Sequence, residues 1–273
     1  MTFAYRALLS LVSIAAVQPA WAAPVALQSH RAIYDISLSR TRPGAMSAVT
    51  GRTVIEFRDV CTGYTTTQRF IADMTTAQGD SSRNDFSISQ SEAKDGRLIR
   101  FKISSSVNGK VMERFNGMAE LASADLGKVK LTTPRGKTFT LPGGTLLPTQ
   151  HTQEVLRLAA SGATSLRRMV YQGGDQKELY DTTTLIGKKV STAQAAQDGT
   201  VDTDGLLKGV PGWGAMISYF PHDSLDASAD YEVAYRLYAN GVISSMTFLY
   251  PTFTLKADLV KLEKLATKCD SKS

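Results

Sequence analysis

Three histidines, two cysteines and one acidic loop are the residues whose types and spacing bear on chemistry in this chain. The histidines are His30, His151 and His222. Nucleophilic catalysis needs a base within hydrogen-bond reach of a nucleophile, itself oriented by a third group. The stretch FPHDSLD offers His222, Asp223 and Ser224 in consecutive positions. Neighbouring residues of an extended chain point to opposite faces, so this adjacency argues against a triad. No G-x-S-x-G elbow is present, and no G-x-x-x-x-G-K-[ST] phosphate loop. His151 falls in the first turn of an expected helix and reads as a hydrogen-bonding or packing residue. The expectation is therefore a protein without catalytic residues, and not an enzyme.

Metal chemistry fares no better. No two histidines are close and no Cys/His cluster exists, so neither a metal site nor a cofactor is expected. The stretch DGTVDTDG has the flavour of a calcium loop through Asp202, Asp204 and Gly205. If Gly205 takes the sharp-turn position, however, Thr200 holds the first ligand place and Pro211 stands where the bidentate glutamate belongs. We read it as a polar loop.

What the cysteines mean depends on compartment. The chain opens MTFAYRALLSLVSIAAVQPAWAAP, with Arg6 as a small basic n-region and Leu8 to Val17 as an apolar run too short to span a bilayer. Ala20 and Ala22 supply an A-x-A cleavage site, so residues 1–22 are expected to be a signal peptide cut after Ala22. That places residues 23–273, as one domain, in an exported compartment, with a bacterial periplasm the natural reading. No later segment approaches the apolar length of a transmembrane helix. In an oxidising compartment two cysteines usually become one disulfide, here Cys61 with Cys269, with two free buried thiols as the alternative. They are not a C-x-x-C pair, which argues against redox chemistry. The loop would span 208 residues, and in the chain-entropy account its closure contributes about 5 kcal/mol. The formal net charge is +6, with the Lys and Arg residues scattered along the chain rather than blocked. A nucleic-acid partner is therefore not expected. Weak attraction to anionic lipid headgroups is compatible with this balance.

The elements that must carry these residues are mostly strands. Asp95-Gly96, Asn108-Gly109 and Asn240-Gly241 each sit between extended runs, the strongest short hairpin signal. Ile99, Phe101 and Ile103 alternate with Arg100, Lys102 and Ser104, as in a half-buried strand. GKVKLTT and KTFTL flank the Pro134-Arg135-Gly136 turn. In the C-terminal third, Tyr231, Val233, Tyr235 and Leu237 line one face. One helix is expected over LPTQHTQEVLRLAASG, with Thr149 as N-cap behind Pro148 and Gly162 closing it. The tail LKADLVKLEKLATKC fits either a helix or a strand. The expected fold is mainly β: a single large curved antiparallel sheet, open-barrel-like, with one or two accessory helices. Such a sheet has a concave face, and Phe101, Phe115, Tyr235, Phe248 and Tyr250 could line it for an apolar ligand. The plainer expectation is that these rings fill the core.

The order of several stretches resembles the alphaproteobacterial cell-envelope integrity family typified by EipB, long catalogued as a domain of unknown function. They are SHRAIYDISL, CTGY with QRF following, SEAKDGRLIRF, LPGGTLLPTQHT, DYEVAYRLYANGVISSMTFLYPTF and a lone cysteine after LEKLATK. They run from His30 to Cys269. The resemblance implies a periplasmic protein with a spiral-like β-sheet, a disulfide between Cys61 and Cys269, and a role in envelope integrity. It also implies a likeness of shape to periplasmic lipoprotein carriers, and it supplies no catalytic residues. Where the family tends to have an acidic residue and a tryptophan around the glycine after the first cysteine, this chain has Thr62-Gly63-Tyr64. Two functions follow as expectations. One is a non-enzymatic periplasmic protein acting through protein–protein contacts. The other is a carrier of lipid or lipoprotein acyl chains in a concave apolar face.

Overall fold

The structure, a computed structural model, describes residues 25–121, 126–190, 201–222 and 228–267. The expected signal peptide, Asp223, Ser224 and Cys269 lie outside the described residues. Eight strands come first: β1 (His30–Thr41), β2 (Met46–Asp59), β3 (Gly63–Thr76), β4 (Ser81–Ala93), β5 (Leu98–Val107), β6 (Lys110–Glu120), β7 (Gly127–Thr133) and β8 (Thr138–Leu141). Helix α1 (Pro148–Ala160) follows. The chain then returns to strands: β9 (Ser165–Tyr171), β10 (Leu179–Val190), β11 (Val201–Asp202), β12 (Gly212–Pro221), β13 (Tyr231–Tyr238), β14 (Ile243–Leu249) and β15 (Phe253–Lys264). All join one sheet, in the order β8-β7-β6-β5-β4-β3-β2-β1-β15-β14-β13-β12-β10-β9, with β11 beside β15. Apart from the short parallel β11–β15 contact, neighbouring strands are antiparallel.

Local sequence explains most of this order. Asn108 and Gly109 both adopt positive φ, 51° and 79°, the conformation that lets a two-residue turn match the twist of its strands. At Asp95-Gly96 and Asn240-Gly241 only the glycine is left-handed. In the tail, strand wins over helix. Leu255, Ala257 and Leu259 alternate inward, then a register shift opposite Ile33 and Tyr34 adds one residue and brings Leu262 back to the buried face. That bulge produces the three-residue spacing from Leu259 to Leu262, which imitates a helical face.

The sheet curls until its ends nearly meet. They are joined through Leu146, just after β8, which forms a parallel bridge to Val170 of β9. Helix α1 packs Val155, Leu156 and Ala159 against Leu27, Tyr64, Leu166, Ile186 and Leu237, covering one end of the curl. Its N-cap is Leu147, with Pro148 at the first helical position, a site suited to a residue without an amide hydrogen. Thr149 is thus inside the helix rather than capping it. The capping acceptor arrives from β4: the Glu92 carboxylate accepts from the Thr149 amide at 3.1 and 3.3 Å and from its hydroxyl at 2.8 Å.

The interior divides into unlike halves. Under β5–β8, Ile99, Phe101, Ala119, Val129, Leu131 and Leu141 are packed solid around Tyr171 from the end of β9. Tyr171 meets Phe101 and Phe139 edge-on with centroids 6.1 Å away, and its hydroxyl donates to the Gly174 carbonyl at 2.7 Å. Under β1–β3 and β12–β15 a second cluster builds on Tyr34, Ile36, Val233, Met246 and Leu255, and here the walls do not close up.

Candidate functional site

The unfilled half encloses a cavity of about 800 Å³, within the range of small-molecule sites. One wall is the inward row of β13, Tyr231, Val233, Tyr235 and Leu237, continued by Met246 and Phe248 of β14 and by Leu255 of β15. The facing wall carries Ile55, Phe70, Met74 and Phe86 from β2, β3 and β4. Pro148, His151 and Thr152 of α1 form the floor. Met112, Glu113, Tyr250 and Phe253 stand at the other end, where the β5–β6 and β14–β15 turns lie. A register shift between β5 and β6 leaves Met112 without an opposite residue, which brings it to the mouth beside Glu113. From Tyr231 to Leu237 the lined wall runs six residues, roughly 20 Å of strand. One leaflet of a bilayer core is about 15 Å deep.

An aromatic rail leads from the wall to the rim. Tyr219 stacks on Tyr231 at 4.5 Å, Tyr231 meets Tyr250 at 6.0 Å, and Tyr250 meets Phe253 at 4.8 Å. Burial pushes the Tyr219, Tyr231 and Tyr235 phenols well above their ordinary range, so all three stay neutral. The Tyr231 hydroxyl accepts from the Gln172 amide at 3.1 Å.

The face expected from sequence is split. Tyr235, Phe248 and Tyr250 line the cavity, whereas Phe101 and Phe115 belong to the solid half around Tyr171. Sequence reasoning missed the facing wall of Phe70, Met74 and Phe86. The alternation of β3 and β4 was its only local signal.

The histidines are held in structural roles. At the floor, His151 Nε2 sits 3.2 Å from the Thr184 hydroxyl, and burial lowers its pKa to about 4, with the Arg168 charge adding to the effect. His30 donates from Nδ1 to the Gln28 carbonyl at 2.7 Å, and burial lowers its pKa. His222 Nδ1 lies 2.9 Å from the Asp181 carboxylate. The acidic loop is spent on backbone: Asp202 accepts from the Leu206 and Leu207 amides and Asp204 from the Lys264 amide. A polar depression beside β8 holds Asp175, Glu178 and Asp230, where burial and the neighbouring acids raise the Glu178 pKa to about 7. Among the described residues no three His, Cys, Asp or Glu side chains gather as a metal site, and no helix is long and apolar enough to cross a membrane.

The stretch after the first cysteine has its own contacts. Tyr64 stacks on Phe57 at 5.5 Å, carries the Lys94 ammonium 4.0 Å over its ring and accepts from Gln153 at 3.0 Å. Cys61 adopts φ 63° and donates its amide to Asp59 at 2.9 Å.

Fold and cavity together define a barrel-like protein made of one nearly closed antiparallel sheet, helix-covered at one end and hollow in one half. The family model described as EipB-like matches residues 21–266, so the chain belongs to the EipB-like family. It is 31% identical over 248 residues to the cell envelope integrity protein EipB of Brucella abortus (strain 2308), covering 89% of this chain and 86% of that protein. A crystal structure of a β-barrel-like protein of a domain of unknown function from Brucella abortus superposes with a TM-score of 0.79 at 28% identity, covering 89% of this chain and all of the other. This likeness to a cell-envelope protein supports an envelope role.

Proposed function

We propose that the protein is a non-enzymatic, periplasmic cell-envelope factor that holds an acyl chain of a lipid or lipoprotein inside its sheet. The cavity carries this reading. Three of the five rings singled out from sequence, Tyr235, Phe248 and Tyr250, stand around about 800 Å³ of space. The space is walled mainly by apolar side chains, with Gln68, Asn84 and Gln172 among them, floored by a neutral histidine and open at an aromatic rim. Apolar chains gain about 0.8 kcal/mol for each methylene removed from water, so such a space favours a chain over solvent. The leader-like N-terminus supports the compartment. The alternative, action through protein contacts on the sheet surface, makes no use of the cavity.

In the same reading Cys61 and Cys269 form a disulfide. Phe57 of β2 and Lys264 of β15 both lie opposite His30 of β1. The two strands run parallel with β1 between them and leave the sheet at the same end. Cys61 follows Phe57 by four residues and Cys269 follows Lys264 by five in the sequence, so each cysteine comes a few residues after a strand that ends at this same side of the sheet.

The test is native mass spectrometry of protein purified from intact envelopes without detergent. The expected result is a bound species with the mass of a phospholipid or acylated peptide, reduced in Met246→Trp, whose larger ring narrows the cavity. A bare polypeptide mass, together with no uptake of a fluorescent fatty acid, refutes the carrier reading.

A further inference from the structure

Positive charge that is scattered in the sequence is gathered on one surface by strand register. Residues 97–141 hold nine Lys and Arg against three Asp and Glu, an excess of six that equals the net charge of the whole chain. The remainder of the chain is balanced. Within this segment Arg100 and Lys102 of β5, Arg114 of β6, and Lys128 and Lys130 of β7 are all exposed. Arg100, Lys102, Lys128 and Lys130 point outward, because Ile99, Phe101, Val129 and Leu131 beside them are buried, and Arg114 shares their face through its pairing with Ser104. Arg100 is opposite Met118 and Met118 is opposite Lys130, so the two cations share a row two strand spacings apart, roughly 10 Å. Lys102, two residues after Arg100, and Lys128, two residues before Lys130, flank this row on opposite sides, and the exposed Glu120 opposite Lys128 is, among the described residues, the one acid on this stretch of the face. These spacings are near the screening length of about 8 Å at physiological salt, so the fields overlap.

The adjoining outer face contrasts with this one. On β1–β4 three cations are paired across strands: Arg52 with Asp35 at 2.7 Å, Arg69 with Asp85 at 2.7 Å and Arg83 with Asp73 at 2.8 Å. Among the described residues none of the five on β5–β7 has an ion-pair partner. Between them stand Ser104, Asn116 and Met118, without an aromatic anchor of the kind that dominates protein–protein hot spots. At the tip of the same hairpin, Val111 and Met112 are 48% and 58% exposed, between Lys110 and Glu113, with Glu113 turned to the cavity mouth and Arg114 following it.

We propose that the outer face of β5–β7, with the Val111–Met112 tip, docks on an anionic lipid bilayer. Unpaired cations meet headgroup phosphates, and the two apolar side chains enter the interface, as in peripheral membrane binding generally. Because Met112 also lines the cavity, docking brings the mouth to headgroup level. The docking itself does not require an occupied cavity.

The test is co-sedimentation of the full chain with mixed phosphatidylcholine–phosphatidylglycerol vesicles. The expected result is binding that weakens as salt is raised and is absent from pure phosphatidylcholine vesicles. The triple variant Arg100→Gln, Lys102→Gln and Lys130→Gln should lower the partition coefficient by roughly a hundredfold, from the contribution of each basic residue near an anionic surface. Lys256→Gln, on β15 away from the patch, should leave it unchanged, and unaltered melting of the triple variant checks its fold. Met246→Trp should still sediment, which separates this proposal from the fate of the carrier reading. Equal binding to neutral vesicles, or full binding by the triple variant, overturns the proposal. So does binding to a soluble polyanion without binding to vesicles.

Discussion

Replacing Glu92 by glutamine tests how the helix floor is secured. The Glu92 carboxyl is buried beneath the first turn of α1, where it accepts from Thr149. Burial raises its pKa to about 7, against the smaller opposing pull of the two Thr149 bonds. The unfolded chain has the ordinary value near 4.5. The folded state therefore binds this proton more tightly, so the stabilisation is fully present below about pH 4.5 and is lost as pH rises through about 7. Each tenfold difference in proton affinity between the folded and unfolded states is worth about 1.4 kcal/mol, so wild type loses roughly 2–3 kcal/mol from this group between about pH 5 and pH 8. His151 works in the opposite sense, because its lowered pKa costs stability as pH falls from about 6.5 through about 4. Absolute stability thus mixes the two, and the informative quantity is the difference between variant and wild type. Glu92→Gln keeps an oxygen to accept from Thr149 and removes the titration. Guanidinium unfolding should show the variant gaining roughly 2–3 kcal/mol on wild type between about pH 5 and pH 8. A variant-minus-wild-type difference that does not change with pH refutes the reasoning. It would mean that the helix N-terminus, which favours a carboxylate, offsets the cost of burial.

Other outcomes follow from the two unlike halves and from the chain end. Phe101→Ala, in the solid half, should cost about 3–5 kcal/mol, read from the denaturant midpoint, with bound lipid per folded molecule unchanged. Phe248→Ala, on the cavity wall, should cost less stability and alter the mass distribution of bound chains. Cys61→Ser should lower stability by roughly 2–5 kcal/mol, and non-reducing peptide mapping of wild type should recover a Cys61–Cys269 peptide. Free thiols at both positions would remove that pairing.

Much of the sheet was legible because its signals are local. The Asp95-Gly96, Asn108-Gly109 and Asn240-Gly241 turns sit where the sequence places them, and the row Tyr231, Val233, Tyr235, Leu237 shares one face as its alternation demands. What escaped was set at long range. The acceptor for the helix start comes from Glu92, 57 residues before Thr149, so a local N-cap rule chose the wrong residue. The tail looked undecided because one bulge shifted the phase of an alternating strand. Phe101 and Phe248 have similar strand contexts, and only the insertion of Tyr171 from β9 makes one a core ring and the other a wall. The cavity has no sequence signature, because an unfilled space is a property of how distant strands meet. The basic face was invisible for a related reason: Arg100 and Lys130 become neighbours only across β6.

The pairing of β1 with β15 has a consequence for how the chain acquires its shape. His30 lies opposite Lys264 and Thr41 opposite Phe253, so the first strand made waits for the last. Hairpins from β1 to β8 can close on neighbours a few residues away, but the seam beside β1 closes only over separations above two hundred residues. Such contacts repay their loop entropy late and slow the final step of folding. Until then β1 presents one unpaired edge with Ala32, Tyr34 and Ile36 uncovered, a template for pairing with another chain. For a polypeptide delivered from its N-terminus, the vulnerable interval lasts until residues 253–264 emerge, and a chain truncated before Phe253 never leaves it.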